Sequence, residues 1–307
     1  MSAAEADVVT RFVEIEGRSL WSDARRRLLR NRATVISLIV LTVIALMALF
    51  APDLSRYAYD DQDYNVVSCA PDWWPDRHAG CYAGGSHWFG TDSVGRDLFV
   101  RVLYGARVSL SVGLIATIVS LLIGVIYGAT AGYLGGRIDA MMMRFVDVLY
   151  SIPYIFLVII LMTIFDRNFF LLFVAIGAVE WLTMARIVRG QTLSIKHKEF
   201  IEAARASGVS TFDIIRRHVI PNVFGPVVVY VTLTVPSAIL AESFLSFLGL
   251  GIQEPLTSWG VLIADGKDQM ATAPWLLIFP AAFMSITLLS FNFIGDGLRD
   301  ALDPKDR

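Results

Sequence analysis

Two cysteines in 307 residues are too few for a disulfide-built scaffold. Charged residues make up only 18% of the chain, where a soluble domain carries about a quarter. That deficit argues against a soluble protein. The 55% hydrophobic content excludes a disordered one, which cannot leave so much apolar surface in water. A net charge of −2 supplies no bulk attraction to nucleic acid, so no nucleic-acid partner is expected. There is no phosphate loop of the form G-x-x-x-x-G-K-[ST]; the nearest approach, Gly266-Lys267-Asp268, lacks the hydroxyl and the glycine spacing. Metal-ligand spacing is missing as well, because His78, His87, His197 and His218 are scattered along the chain. No catalytic residue, metal or cofactor is therefore expected in this chain. What it has instead is long stretches without charge and a mean hydropathy of +0.59.

Six stretches qualify as membrane spans, which need about 17–25 mainly apolar residues. Residues 33–52 offer 20 uncharged positions, 108–136 offer 29, and 148–165 offer 18. The run 168–185 is interrupted only by Glu180, 219–241 offers 23 positions, and 269–295 offers 27. The runs are apolar on all sides and too long for barrel strands, whose polarity alternates over about 10 residues. Backbone groups in lipid must pair within their own segment, so an all-α integral membrane protein with six transmembrane helices is expected. With the N-terminus inside, the inner segments 1–32, 137–147, 186–218 and 296–307 hold 19 of the 26 lysines and arginines. This asymmetry places both termini in the cytoplasm. The first run is expected to be retained, since a mainly polar segment precedes it and no A-x-A-like site follows.

The segments outside the spans carry further signals. In residues 17–32, Leu20, Trp21, Ala24 and Leu28 share one helical face and arginines fill the other. This is either an interfacial helix or a basic anchor that only fixes topology. Residues 53–107 form an external loop with eight aspartates, five arginines, Trp73, Trp74 and Trp88. Its end reads as a turn and a short amphipathic helix, with Leu98, Val102 and Leu103 against the membrane. That stretch is either a lid packed on its own bundle or a contact for an external partner. Cys69 and Cys81 share this loop, where disulfides persist, and Pro71, Pro75 and Gly80 bend the chain between them or beside them. They are either bridged or two free thiols. In the second run Ser120, Gly124, Gly128, Gly132 and Gly136 recur every four residues, a face that lets helices approach closely. Glu180 is expected to face the bundle or the pathway, near Arg144 or water, with a local packing role.

Residues 186–222 are too long for a simple connector, since most run about 4–6 residues. Phe200, Ile201, Ala203 and Ala204 predict a short helix with an apolar stripe. Gly208 suits the left-handed position after its end. Ser210-Thr211-Phe212-Asp213 then reads as a capping box with Asp in place of Glu. Ile214, Ile215 and Val219 face inward on a second helix, which Pro221 is expected to close. The result is a helix–turn–helix on the cytoplasmic surface with Lys196, Lys198, Arg205, Arg216 and Arg217 outward.

Within this segment EAARASG, followed by the RHVIPN ending, resembles the EAA loop of ABC-importer permeases. Glu202, Ala203, Ala204, Gly208 and Pro221 match that pattern, with Ile220 in place of Leu and His218 in place of Ile. FGTDSVGRDLFVR, ARIVRGQTLS, ESFLSFLGLGIQEPLTSWG and NFIGDGLRDALDPK resemble the peptide and nickel branch of that family. The N-terminal EGRSLWSDARRRLLRNRA and C-terminal DALDPKDR are similar to the C-type permeases of bacterial oligopeptide importers. The resemblance implies a type I importer permease fold with a core over 108–297, a coupling loop at 190–222 and a tail at 298–307. It implies a homologous B-type permease partner, two ATPase subunits that hold the ATP and Mg, and a periplasmic binding protein that delivers peptide. Glu202 and Gly208 would be the contact and the turn of the coupling helix. Three rivals stand beside this reading. A dipeptide or nickel permease lies within the family. A proton-coupled secondary transporter would use Glu180, Glu242 and Asp147, but would usually show an inverted repeat, and none is found. An intramembrane enzyme would need a nucleophile–base pair in the spans, and none is found.

Overall fold

A computed structural model of the chain describes residues 20–75, 81, 86–164 and 169–302. Gly17–Ser19, His78, Gly80 and the tail from 303 lie outside the described residues, as do the side chains of Leu20 and Trp21. Among the described residues the chain is helical, with one isolated β-bridge between Thr91 and Asp97. Helix α1 spans Leu20–Arg30 and α2 spans Arg32–Leu49. Asn31 separates them because its side chain caps α2, accepting from the backbone N–H of Ala33 at 3.1 Å. A single turn, Ala51–Leu54 (α3), leads into the external loop.

Helix α4, Leu98–Leu134, is 37 residues long. Asp97 caps its start by accepting from Val100 N at 2.9 Å, and Gly135, at φ +68°, ends it. Then follow α5 (Gly136–Ser151), α6 (Tyr154–Ile164), α7 (Phe169–Ile195) and α8 (Glu199–Ala206). Helix α9 runs Thr211–Phe247, α10 Trp259–Asp268 and α11 Trp275–Leu302. Among the described residues α2, α4, α9 and α11 are long and apolar enough to cross a membrane. The other two expected spans fall in α6 and α7, either side of residues 165–168, which lie outside the described residues.

Four expectations about these elements are corrected. The run 148–165 is not one helix: it breaks at Ile152, which is extended before Pro153, as the residue before a proline prefers. Pro221 does not close a second helix. The chain passes through it, because a π-helical turn at Ile215–Val219 widens the backbone just before the missing N–H, and Asn222 Nδ2 donates to the His218 carbonyl at 2.7 Å. Leu98, Val102 and Leu103 do not face the membrane but are buried, 0–1% exposed, as the first turns of α4. Gly136 leaves the glycine stripe, since it opens α5 and nothing lies within 4 Å of a Cβ built there.

The rest of the stripe packs α4 on α7. A Cβ at Gly124 would lie 2.6 Å from Met184 Cβ, and one at Gly132 would lie 2.8 Å from Thr192 Cβ. Only the absence of a side chain permits this contact. Arg189 clamps α7 to α5 through both oxygens of Asp139, at 2.6 and 2.7 Å. Helix α11 packs against α9 and α2, and α1 lies along α11 with Ala24 buried.

The loop between α3 and α4 closes over the start of α4 and over α10 and α11. Trp259 is fully buried and donates from Nε1 to the Val102 carbonyl at 3.1 Å. Phe89 stacks on Phe279 of α11 with ring centroids 4.0 Å apart. Asp92 accepts from Arg96 Nε at 2.6 Å and lies 3.5 Å from the buried Arg101, while Arg96 Nη1 reaches Glu254 at 2.8 Å. Cys69 and Cys81 are joined as a disulfide with Cα atoms 5.6 Å apart. The loop is thus a lid packed on its own bundle.

Candidate functional site

The segment between α7 and α9 folds as a compact helical turn. Ser207 ends α8, and Gly208 takes φ +77°, a backbone state that a residue with a Cβ resists. Gly208 N donates to the Arg205 carbonyl at 3.0 Å and Val209 N to the Ala204 carbonyl at 3.1 Å. These two bonds satisfy the last carbonyls of α8. Ser210 Oγ then accepts from Asp213 N at 3.2 Å and donates to Asp213 Oδ2 at 2.8 Å, which starts α9.

The inward face explains why this unit stays on the bundle. Ile201, Ile214 and Val219 are 0–1% exposed and pack with Tyr133, Met184, Val188, Val223 and Val227. Tyr133, at the inner end of α4, is the anchor: the Arg205 guanidinium lies 5.7 Å from its ring centroid and the Lys196 ammonium 5.9 Å. Arg205 Nη2 donates to the Tyr133 hydroxyl at 3.4 Å, which raises the Arg205 pKa above its ordinary value.

The expected site residues separate into two groups. Glu202, Ala203, Ala204 and Gly208 sit on or just after α8, with Glu202, Ala203 and Gly208 exposed and Ala204 half-buried. His218 and Pro221 lie on α9, at the π-helical turn and directly after it. The apolar stripe is narrower than expected, because Phe200 and Ala203 point outward and only Ile201 and Ala204 turn in. Sequence reasoning missed the consequence. Phe200 and Phe212, 43% and 69% exposed, flank the turn as an open aromatic pair. The available signal was Phe212 itself, a large apolar side chain in the first turn after a cap and off the inward register of Ile214, Ile215 and Val219. Arg216 is exposed beside them, and Arg217 pairs loosely with Asp213 at 3.4 Å. An exposed surface with aromatics and arginines, held on a rigid base, has the make-up of a protein-docking surface.

A second feature is a cleft of about 940 Å³ between α6, α7 and α9. It is lined mainly by Leu157, Ile176, Leu240 and Phe244, with Glu180 and Ser237 among them. Glu180 faces the bundle, and its Oε1 accepts from Ser237 Oγ at 2.9 Å rather than from Arg144, one of the two surroundings expected. Glu242 lies elsewhere and is fully buried. Its Oε1 accepts from Ser246 at 2.6 Å and from Ser258, the cap of α10, at 2.7 Å. It therefore ties α9 to the cap of α10. Among the described residues no cluster of His, Cys, Asp and Glu is arranged to hold a metal.

Residues 99–307 match the model of the binding-protein-dependent transport system inner membrane component. Residues 19–71 match that of the N-terminal TM domain of oligopeptide transport permease C. The oligopeptide transport system permease protein OppC of Escherichia coli (strain K12) is 60% identical over 295 residues, 96% of this chain and 94% of that protein. The OppC of Bacillus subtilis (strain 168) is 44% identical over 94% of this chain and 91% of its own. The dipeptide transport system permease protein DppC of the same organism is 47% identical over 99% of this chain and 90% of its own.

Proposed function

Since the chain belongs to the family of binding-protein-dependent transport inner membrane components, a family of ABC importer permeases, we propose that it is the C-type permease subunit of an ATP-driven oligopeptide importer. The observation that carries this is 60% identity to an oligopeptide permease across nearly the whole of both chains. The chain supplies half of the peptide pathway and a homologous B-type permease supplies the rest. It catalyses no reaction itself. Two ATPase subunits hold ATP and Mg, and a periplasmic binding protein delivers the peptide. The chain crosses the bacterial inner membrane several times, with both termini in the cytoplasm.

The docking surface between α7 and α9 takes the ATPases. Glu202 and Ala203 lie on its exposed face, and Ala204 and Gly208 shape it. The π-helical turn at His218 and the passage through Pro221 make the surface continuous with α9. A displacement of the turn on ATP binding is thereby carried into a membrane-crossing helix without an intervening loop. Phe200 and Phe212 supply apolar area for the contact, and Arg205 and Arg216 supply charge.

A dipeptide importer is the second reading, favoured by the 47% identity to DppC of Bacillus subtilis. Reconstitution with the B-type permease, the ATPases and the binding protein decides both questions. The expected result is peptide uptake that requires ATP hydrolysis, resists uncouplers and extends to peptides of four or more residues. Uptake confined to dipeptides would select the second reading. Uptake abolished by uncouplers and indifferent to ATP would select a proton-coupled transporter instead.

A further inference from the structure

The cleft between α6, α7 and α9 holds a charged group that the coupling surface does not use. Among the described residues that line it, Glu180 is the only charged one. Among the described residues its hydrogen-bond partner is Ser237 Oγ at 2.9 Å, reached across the gap between α7 and α9, and it makes no ion pair. The nearby arginines of α7 are already engaged. Arg186 Nη2 lies 2.8 Å from Asp147 Oδ1, with its guanidinium 4.3 Å from the Tyr150 ring centroid. Arg189 is held by both oxygens of Asp139. A carboxylate within the bundle of a membrane protein is costly unless it faces a polar cavity or meets a cation. Among the described residues no cation meets it, and Ser237, Thr183 and Tyr230 add hydroxyls to an otherwise apolar wall. A mostly apolar cleft with a few convergent polar groups is the usual make-up of a small-ligand site.

We propose that Glu180 is a recognition point on the translocation path for a primary ammonium, the N-terminal amine of the passing peptide. The inference rests on the reading of this chain as a peptide permease. An ammonium has three donors and no acceptor, and it fits a carboxylate oxygen flanked by hydroxyl oxygens. Ser237 occupies one side of Oε1 and holds the carboxylate towards the cleft. The walls of Ile176, Leu240 and Phe244 accept side chains without regard to sequence, as a path for varied peptides requires.

The test uses the complete transporter in proteoliposomes, with a tripeptide whose N-terminal residue carries a photoreactive diazirine. Absence of ATP-dependent uptake in the wild type would overturn the permease reading itself, and this inference with it. Given wild-type uptake, Glu180→Gln should assemble normally and lower kcat by about tenfold or more, the ratio that loss of one charge-assisted hydrogen bond carries. Glu180→Asp, which keeps the charge, should recover most of that rate. The photoprobe should label α7 or α9 in the wild type and lose that label in Glu180→Gln. Wild-type uptake or undiminished labelling in Glu180→Gln would overturn the proposal. So would failure of Glu180→Gln to assemble, because the carboxylate would then serve the fold or a basic side chain of the partner permease.

Discussion

The lid and the turn between α7 and α9 are built from similar materials and use them differently. Both carry arginines, acidic groups and large aromatics. In the lid the arginines and Phe89 are spent on the chain itself: Arg96 and Arg101 are buried around Asp92, and Phe89 stacks on Phe279 of α11, while Trp73 and Trp88 stay 62% and 59% exposed. In the turn they are left outward, with Phe200, Phe212 and Arg216 exposed and only a small apolar core beneath. A region whose charged groups are buried against one another offers them to no partner, whereas one whose groups face water is available to a partner. Substitutions in the lid should therefore lower stability, and substitutions in the turn should lower coupling.

The largest effect is expected at Asp92. Asp92→Ala leaves two buried guanidinium groups without their shared carboxylate, and losing one partner of a buried ion pair costs about 3–5 kcal/mol. The variant should show a marked fall in unfolding temperature and in yield; an unchanged melting curve would break the comparison on the lid side. Next is the disulfide. Closing this loop removes about 3 kcal/mol of unfolded-state entropy in the chain-entropy model. Cys69→Ser with Cys81→Ser should lower the unfolding temperature yet leave the ratio of peptide uptake to ATP hydrolysis unchanged. Alkylation of the intact, non-reduced protein should label neither cysteine, and labelling of both would refute the bridge. The smallest cost in stability falls at Gly208. A left-handed position costs a residue with a Cβ about 1–2 kcal/mol, and nothing within 4 Å would clash, so Gly208→Val strains only the backbone. Membrane insertion should survive while ATP hydrolysis loses its link to uptake; wild-type uptake would show that the turn tolerates any shape.

Much of this arrangement is legible in the residue order, and the failures have a common cause. Charge-free runs mark the depth of the bilayer, not the ends of helices. Helix α4 accordingly begins ten residues before Val108, because Asp97 supplies its cap. Helix α9 continues past Glu242, where two serines bond one oxygen of that carboxylate. Helix breakers gave mixed guidance for the same reason. Pro153 interrupts a helix where the residue before it can extend, whereas Pro221 does not where a π-helical turn absorbs the missing donor. Gly208 was readable because its requirement is local, a backbone state set by its own φ. The orientation of Phe200 and the burial of Leu98 and Val102 depend on partners remote in sequence, such as Trp259, which no local pattern announces.

The length of α4 joins the two compared regions. Its first turns are locked in the lid through Leu98, Arg101 and Val102, and its last turn carries Tyr133, on which Arg205 and Lys196 rest. An unbroken helix of 37 residues is about 55 Å long. Close packing seats it on α9 at Gly113 and on α7 from Ala116 to Gly132, so one unbroken rod connects the two regions. With no break in the rod to absorb a displacement, a shift at the floor of the lid has to be met at the Tyr133 seat of the turn.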